Sequence, residues 1–369
     1  ITSTMTIDGG GVITVSGNNA SRVFNVGDNK IVTFTGLTIR NGKADLSGGG
    51  IKIGTSSSIM VINSTVVSNT AMSNDTGGGG ISGDDRSNLT MINSLLAANT
   101  AKDGGGIRGG SDGNITMINS TIVSNTASRD GGGISTFSFS TNVTLINSTV
   151  VSNTAMQDGG GIYVVVGANL RLERSLVDGN QANRHGGGLG VWSAVATIKN
   201  SQIENNIAAS SGGGIYSTVG SVVNLQASSL VSNTGNLGGG VFNGSNARMS
   251  MVDTAIVSST ARTDGGGLYN QTGILNLNRA SVYRNVAQGR GGGIHHETNN
   301  TVSNITNSSI FYNFATTHGG GIWQGNGDVT ILNSTIVSNA IGSNTIGGGI
   351  YAVLSGTMRI QNSILAHNL

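Results

Sequence analysis

Residues 142–155 read Asn142-Val143-Thr144-Leu145-Ile146-Asn147-Ser148-Thr149-Val150-Val151-Ser152-Asn153-Thr154-Ala155, and a three-residue spacer then leads into Gly159-Gly160-Gly161-Ile162. Nearly the same words stand at 114–127 and 329–340. A block of three glycines followed by an aliphatic residue recurs in period twelve times, ending at Ile51, Ile81, Ile107, Ile134, Ile162, Leu189, Ile215, Val241, Leu268, Ile294, Ile322 and Ile350. Successive copies are 26 to 30 residues apart. A fixed period in this range, with strand-type residues between the copies, is the signature of a solenoid.

The rest of the unit carries the same period. Its last Asn recurs at Asn69, Asn99, Asn125, Asn153, Asn180, Asn206, Asn233, Asn285, Asn313, Asn339 and Asn368, broken once by Ser259. A second Asn, six residues earlier, recurs at Asn63, Asn93, Asn119, Asn147, Asn200, Asn307, Asn333 and Asn362. Arg174, Ala227, Asp253 and Arg279 take its place in the other units.

Within a unit the apolar residues alternate, as Val143 and Leu145 do, which is strand periodicity and not helix periodicity. About three short β runs per unit of ~27 residues make one coil of a parallel β-helix. A leucine-rich repeat lacks its Leu-x-x-Leu-x-Leu pattern here, and a propeller blade needs ~40 residues. Coils stack ~4.8 Å apart, so identical residues form columns. The aliphatic residue after the glycines is expected to face inward, while Gly and Asn supply the tight corners. The absence of proline fits a chain in which most backbone N–H groups are needed as donors.

Residues 1–47 form an atypical opening, in which Gly9-Gly10-Gly11-Val12 is a glycine block out of period. Val23–Val26 and Ile31–Gly42 read as strands of the opening coils. From 48 to 369 the array is continuous, so one domain over 1–369 is expected, a rod roughly 60 Å long.

The Gly-Gly-Gly-Ile block, with elements such as Val66-Val67-Ser68-Asn69-Thr70-Ala71, resembles bacterial right-handed β-helix repeat proteins of the polymorphic-outer-membrane-protein-like surface type. Their pattern pairs Gly-Gly-Ala-Ile with Phe-x-x-Asn. This chain departs from it with Gly for Ala, and with Val, Ile or Leu for Phe. The resemblance covers residues 48–369, and Ile7-Asp8-Gly9-Gly10-Gly11 and Leu37-Thr38-Ile39-Arg40-Asn41-Gly42 resemble the start of such proteins. It implies a right-handed coil, in line with the general preference for right-handed parallel connections. It also implies secretion, a cell-surface location and an adhesive or structural role.

Composition narrows the setting. Charged residues are 10% of the chain and the net charge is +2, so neither nucleic acid nor an anionic membrane is a favoured partner. There is no cysteine, hence no disulfide, thiolate metal site or Cys nucleophile. No apolar run reaches the ~18 residues of a membrane-spanning helix. The sequence shows no signal peptide and starts at Ile1, as expected of a processed or excerpted protein.

The residue after each inward aliphatic is expected to point outward. That column reads Lys52, Ser82, Arg108, Ser135, Tyr163, Gly190, Tyr216, Phe242, Tyr269, His295, Trp323 and Tyr351, with Trp192 two residues beyond Gly190 on the same face. Six of the 15 aromatic residues lie in it. The candidate binding residues are therefore Tyr163, Trp192, Tyr216, Phe242, Tyr269, Trp323 and Tyr351. An aromatic column of this kind stacks to brace its own sheet, docks a neighbouring protein, or receives sugar rings.

Catalytic candidates are sparse. Asp103, Asp130 and Asp158 precede three successive glycine blocks and Asp264 a later one, while His185, Ser211 and Leu237 hold the place between; Asp before Gly is a common turn residue. Asp84-Asp85-Arg86 reads as a solvated loop, and His295-His296 as a stacked surface pair with no third metal ligand. His185 and His318 share a turn column five coils apart. Asn63-Ser64-Thr65, Asn119-Ser120-Thr121, Asn147-Ser148-Thr149 and Asn333-Ser334-Thr335 match the glycosylation acceptor pattern because the repeat recurs.

These readings converge on an extracellular stalk, adhesin passenger or filament subunit with no catalytic residues, cofactor or metal. Its expected partners are copies of itself joined end to end through the first and last coils, with glycans or other surface proteins as further partners. A polysaccharide-binding or polysaccharide-cleaving β-helix is the alternative.

Overall fold

The computed structural model describes residues 1–72, 77–136, 139–297, 302–342, 346–353 and 356–369. Two compact units emerge, Ile1–Asn183 and Arg184–Leu369. Each is a parallel β-solenoid, and the described residues contain no helix.

One coil of the first unit runs through strands Ile107–Gly109, Asn114–Ile118, Thr121–Val123 and Thr126–Ala127. These belong to three sheets, because Asn114–Ile118 and Thr121–Val123 are halves of one sheet bent at Asn119. Strands pair in parallel with their counterparts in the neighbouring coils: Leu89 lies beside Ile115, Ile115 beside Val143 and Val143 beside Leu170. In the second unit Val223, Met249, Leu275, Ser303 and Val329 form the same column.

Alternation puts every second residue inside. Ile81, Ile107, Ile134 and Ile162 fill one inner column, Leu96, Ile122, Val150 and Val177 a second, and Ala101, Ala127, Ala155 and Ala182 a third, all buried. The second unit repeats them with Ile215, Val241, Leu268, Ile294 and Ile322 in the first column.

The corners explain the polar residues. Asn119, Asn147 and Asn333 hold φ near +48°, and Ser124 and Ser152 hold +53°. The left-handed region is least unfavourable for Asn and other short polar side chains. The glycine block needs its glycines for two reasons. Gly131 has φ +66°, whereas a Cβ on Gly132 or Gly133 would lie 2.3 or 2.7 Å from a carbonyl oxygen of the next coil. Only glycine allows the backbones that close an approach.

The two Asn columns are not equivalent. The last Asn of the repeat is buried from Asn69 to Asn339, and the earlier one is exposed. Asn153 Nδ2 donates to the carbonyls of Ile122 (3.1 Å) and Val151 (3.0 Å) and to Asn180 Oδ1 (2.9 Å). Its Oδ1 accepts the backbone N–H of Asn125 (2.9 Å) and the Asn125 amide (3.0 Å). The inner Asn column is thus a hydrogen-bond ladder that satisfies backbone groups at a buried corner. Ser259 holds the same position with less: its N–H donates to Asn285 Oδ1 at 2.9 Å, and its Oγ reaches only the Val257 carbonyl at 3.4 Å.

The opening differs from the period for a structural reason. Strand Met5–Ser16 pairs Met5–Asp8 with Val32–Thr35 and Ile13–Ser16 with Leu37–Arg40, and residues 9–12 bulge between the two halves. Gly9-Gly10-Gly11-Val12 is therefore a strand bulge and not a corner block, with Gly10 and Gly11 at φ +57° and +80°.

Asn153→Ala is expected to destabilise the protein by about 3 kcal/mol, because it strands buried donors and acceptors in the coils on both sides. Asn153→Ser should cost less, as Ser259 is accommodated in the second unit. Chemical denaturation of the two variants checks both the size and the order.

Candidate functional site

The proposed outward column is outside the coil but not open to solvent. In the second unit Phe242 is 5% exposed, Tyr269 is buried, His295 is 1% exposed and Trp323 8%. The rings lie on one another coil after coil. Tyr216 stacks on Phe242 at 5.1 Å between centroids, Phe242 on Tyr269 at 5.4 Å, Tyr269 on His295 at 4.5 Å and His295 on Trp323 at 4.2 Å. Adjacent planes are within 20° of parallel. The expectation of a solvent-facing aromatic stripe is corrected here: parallel register places each ring over the next, so the faces are consumed by stacking.

The column has no break at Gly190. Gly190 is registered with Tyr216, and the ring of His185, from the turn before the glycine block, stacks on Tyr216 at 4.3 Å and 13°. His185 fills the place that Gly190 leaves empty. At the other end Tyr351 meets His318, 4.6 Å away and tilted by 54°. The turn histidines, which were read as unconnected, each cover one ring.

Corner loops close over the stack. The Tyr269 hydroxyl donates to Glu297, and burial, aided by this contact, raises its pKa above the ordinary phenol value. Arg290 lies 5.2 Å over the Trp323 ring, a cation–π contact. Burial pushes the His295 pKa down to about 3, helped by the charge of Arg290, so this imidazole is neutral near pH 7. His295 and His296 are not a surface pair. Alternation sends His296 to the other side of the sheet, into the core, where its Nδ1 lies 3.0 Å from both Asn270 Nδ2 and Ser303 Oγ.

Trp192 stands apart, 38% exposed. Tyr163 belongs to the first unit and is half-buried beside Asp103, Arg129 and Asp130, which line an open notch of about 270 Å3. The acids there hold the turns. Arg129 Nε donates to Asp103 Oδ1 at 2.8 Å, and its Nη2 pairs with Asp103 Oδ2. Asp103 Oδ1 accepts the N–H of Asp130 (3.3 Å), and Asp130 Oδ1 accepts that of Asp158 (3.0 Å). Asp264 does the same for Arg290 at 2.6 Å. Each carboxylate caps the turn of the following coil, which is the turn role read from the sequence. Burial raises the Asp130 pKa to about 6, with the nearby carboxylates of Asp158 and Asp103 acting in the same direction. The Asp84 loop is not purely solvated: Asp84 pairs with Lys52 at 3.1 Å.

The bent sheet leaves a polar trough along the exposed Asn column. In the second unit it has about 610 Å3 and is lined by Asn200, Gln202, Ser229, Asp253, Arg279 and Ser281 among others. Arg279 spans one coil to Asp253 with bonds of 2.6 and 2.8 Å and holds that carboxyl below the usual range. The corresponding trough of the first unit includes Asn63, Asn93, Asn119 and Thr121. The Asn residues of the acceptor motifs are thus on the outside.

Reasoning from the sequence missed a second aromatic group. Tyr283 and Phe311 stack at 4.8 Å and 4°, and Tyr312 meets Phe311 edge-on at 5.6 Å and 71°. Tyr312 is 58% exposed and Phe314 37%. Their signal was a departure from the repeat: where other units read Ser-Asn-Thr-Ala, this one reads Tyr312-Asn313-Phe314-Ala315. Among the described residues, no group of three or more His, Cys, Asp or Glu is placed to hold a metal ion.

Comparison with known families agrees with this geometry. The model described as a right-handed beta helix region matches residues 22–203, and the Chlamydia polymorphic membrane protein repeat matches residues 200–218. The chain is a right-handed β-helix repeat protein. Its repeats fit the bacterial polymorphic-membrane-protein-like type. No curated protein matches the chain. In the described residues of this β-helix, no helix is long and apolar enough to cross a membrane.

Phe242→Ala is expected to cost about 3–5 kcal/mol by opening a gap between Tyr216 and Tyr269. A loss below ~1 kcal/mol on denaturation would show that the stack does not brace the sheet. Asp130→Asn tests the acidic turns. An acid whose folded pKa is raised from 3.8 to about 6 binds a proton more readily when folded. Its contribution therefore declines as pH rises through this window. Thermal melts should show the Asn variant gaining stability relative to the parent between pH 4 and 6, holding that gain above pH 6, and matching the parent most closely below pH 4.

Proposed function

We propose that this β-helix is an extracellular structural and adhesive scaffold displayed on the cell surface, a stalk or filament subunit. The observation that carries the reading is the use made of each repeated column. Aliphatic, Asn and aromatic residues all serve coil-on-coil stacking, and the acids next to the glycine blocks cap turns. Such a molecule holds a long surface in place, as solenoids do. The match to polymorphic membrane protein repeats supports a surface-type solenoid.

Self-association belongs to the same proposal. Strands of one coil pair in parallel with those of the next, as Ile336 does with Leu365, and a coil of another copy would pair in the same manner.

Two measurements test the proposal. Antibodies to the chain should label intact cells of the source organism, and brief external protease should remove the label. Labelling that requires lysis would reject the surface location. In negative-stain electron microscopy, particles should lengthen with concentration. Particles of one length at every concentration would remove the filament and leave the scaffold.

A further inference from the structure

The exposed aromatic group of the second unit lies on two successive coils at one corner. Tyr283 and Phe311 are registered across the coils, as are Val286 and Phe314. Tyr312 occupies a corner with φ +55°, where Ser232, Ser258 and Ser338 stand in other coils at +52 to +54°. A bulky aromatic residue is disfavoured in the left-handed region, and more than half of this ring faces water. Neither its backbone nor its burial accounts for its presence. Phe314 likewise replaces the Thr or Ala of the equivalent position in Thr260 and Ala340.

Arg284 sits at the preceding corner, exposed, and makes no ion pair among the described residues. The stretches 281–290 and 309–317 contain no Asp or Glu. The corner therefore joins exposed aromatic surface to a free guanidinium in a region without competing acids.

We propose that Tyr283, Arg284, Val286, Phe311, Tyr312 and Phe314 form a binding site for a linear polysaccharide that carries uronate groups. Pyranose C–H edges bear partial positive charge and pack on the negative face of an aromatic ring. The planar guanidinium fork of Arg284 matches a carboxylate in two parallel hydrogen bonds. Apolar side chains on two successive coils accommodate consecutive sugar rings, which favours a polymer over a single sugar. A stable protein interface buries about 800 Å2 on each partner, more than six side chains at one corner supply. The inference stands on the chemistry of this corner, and failure of the surface location would leave it intact.

The test uses the whole chain and isothermal titration with hexagalacturonate, with maltohexaose as the neutral control. The parent should bind the acidic hexamer, and the neutral one about tenfold or more weakly. Tyr312→Ser restores the residue common at this corner and should weaken binding about tenfold while leaving the melting temperature unchanged or raised. Arg284→Gln should bring the two hexamers toward equal affinity. Trp192→Ala should bind as the parent does. Absence of heat with hexagalacturonate at millimolar concentration, or parent-like binding by both Tyr312→Ser and Phe314→Thr, would overturn the site. Loss of binding in Trp192→Ala alone would also overturn it, because the sugar would then lie elsewhere.

Discussion

Parallel coil-on-coil pairing is the constraint from which the rest follows. With strands in register, the nearest neighbour of each side chain is its own counterpart one coil away, ~4.8 Å distant. A residue type is therefore admitted to a column only if it tolerates a copy of itself at that distance. Aliphatic side chains do so by packing, as Ile107 does on Ile134. Asn does so because its amide is both donor and acceptor, so Asn125 can donate to Asn153 while accepting from Asn99. Aromatic rings do so by stacking face to face. Like charges do so only at a cost, as Asp130 shows, where burial and then the charges of Asp158 and Asp103 raise the pKa, and this agrees with the 10% of charged residues in the chain.

The same rule explains the irregular positions. Where a column loses its side chain, a nearby group moves in: His185 covers the ring beside Gly190. Some charges that enter a column are met by their opposite from the neighbouring coil, as Arg279 meets Asp253 and Arg129 meets Asp103. The polar residues inside the second unit obey it too. Asn243 donates to Asn270 at 2.8 Å, and Asn270 lies against His296. One inward polar residue meets another in the next coil, and the chain of substitutions runs through consecutive coils.

The fold was legible because the repeat writes it twelve times over. The twelve aliphatic positions, the glycine corners and the strand alternation all follow from period and elementary sterics. The side facing of the Asn columns was not legible, because both Asn residues sit at corners and differ in whether they take the left-handed position, as Asn147 does, or follow it, as Asn153 follows Ser152. Asn147 takes the left-handed conformation and points out, and Ser148, the next residue, turns inward to donate to the Ile146 carbonyl at 2.9 Å. The aromatic column was placed on the correct side of its sheet, yet its exposure was misjudged. Alternation gives the direction of a side chain, whereas burial depends on what the adjoining loops and turns do, and Glu297 and Arg290 reach the rings from positions whose residue type does not repeat.

In a molecule governed by self-stacking, agreement with the repeat is explained by stability, so it carries little information about function. Departures that also serve stacking, such as His185 or Arg279, are absorbed in the same way. The departures that matter are those that the coil gains nothing from. Tyr312 meets that standard: it adopts a backbone conformation suited to Ser or Asn, makes one edge contact with Phe311, and leaves most of its ring in water. Phe242 and Trp323 fail it, because burial and stacking account for them fully. Function in this solenoid is therefore sought at a corner where the period is broken at the expense of the fold, and the long regular faces are what hold that corner in place.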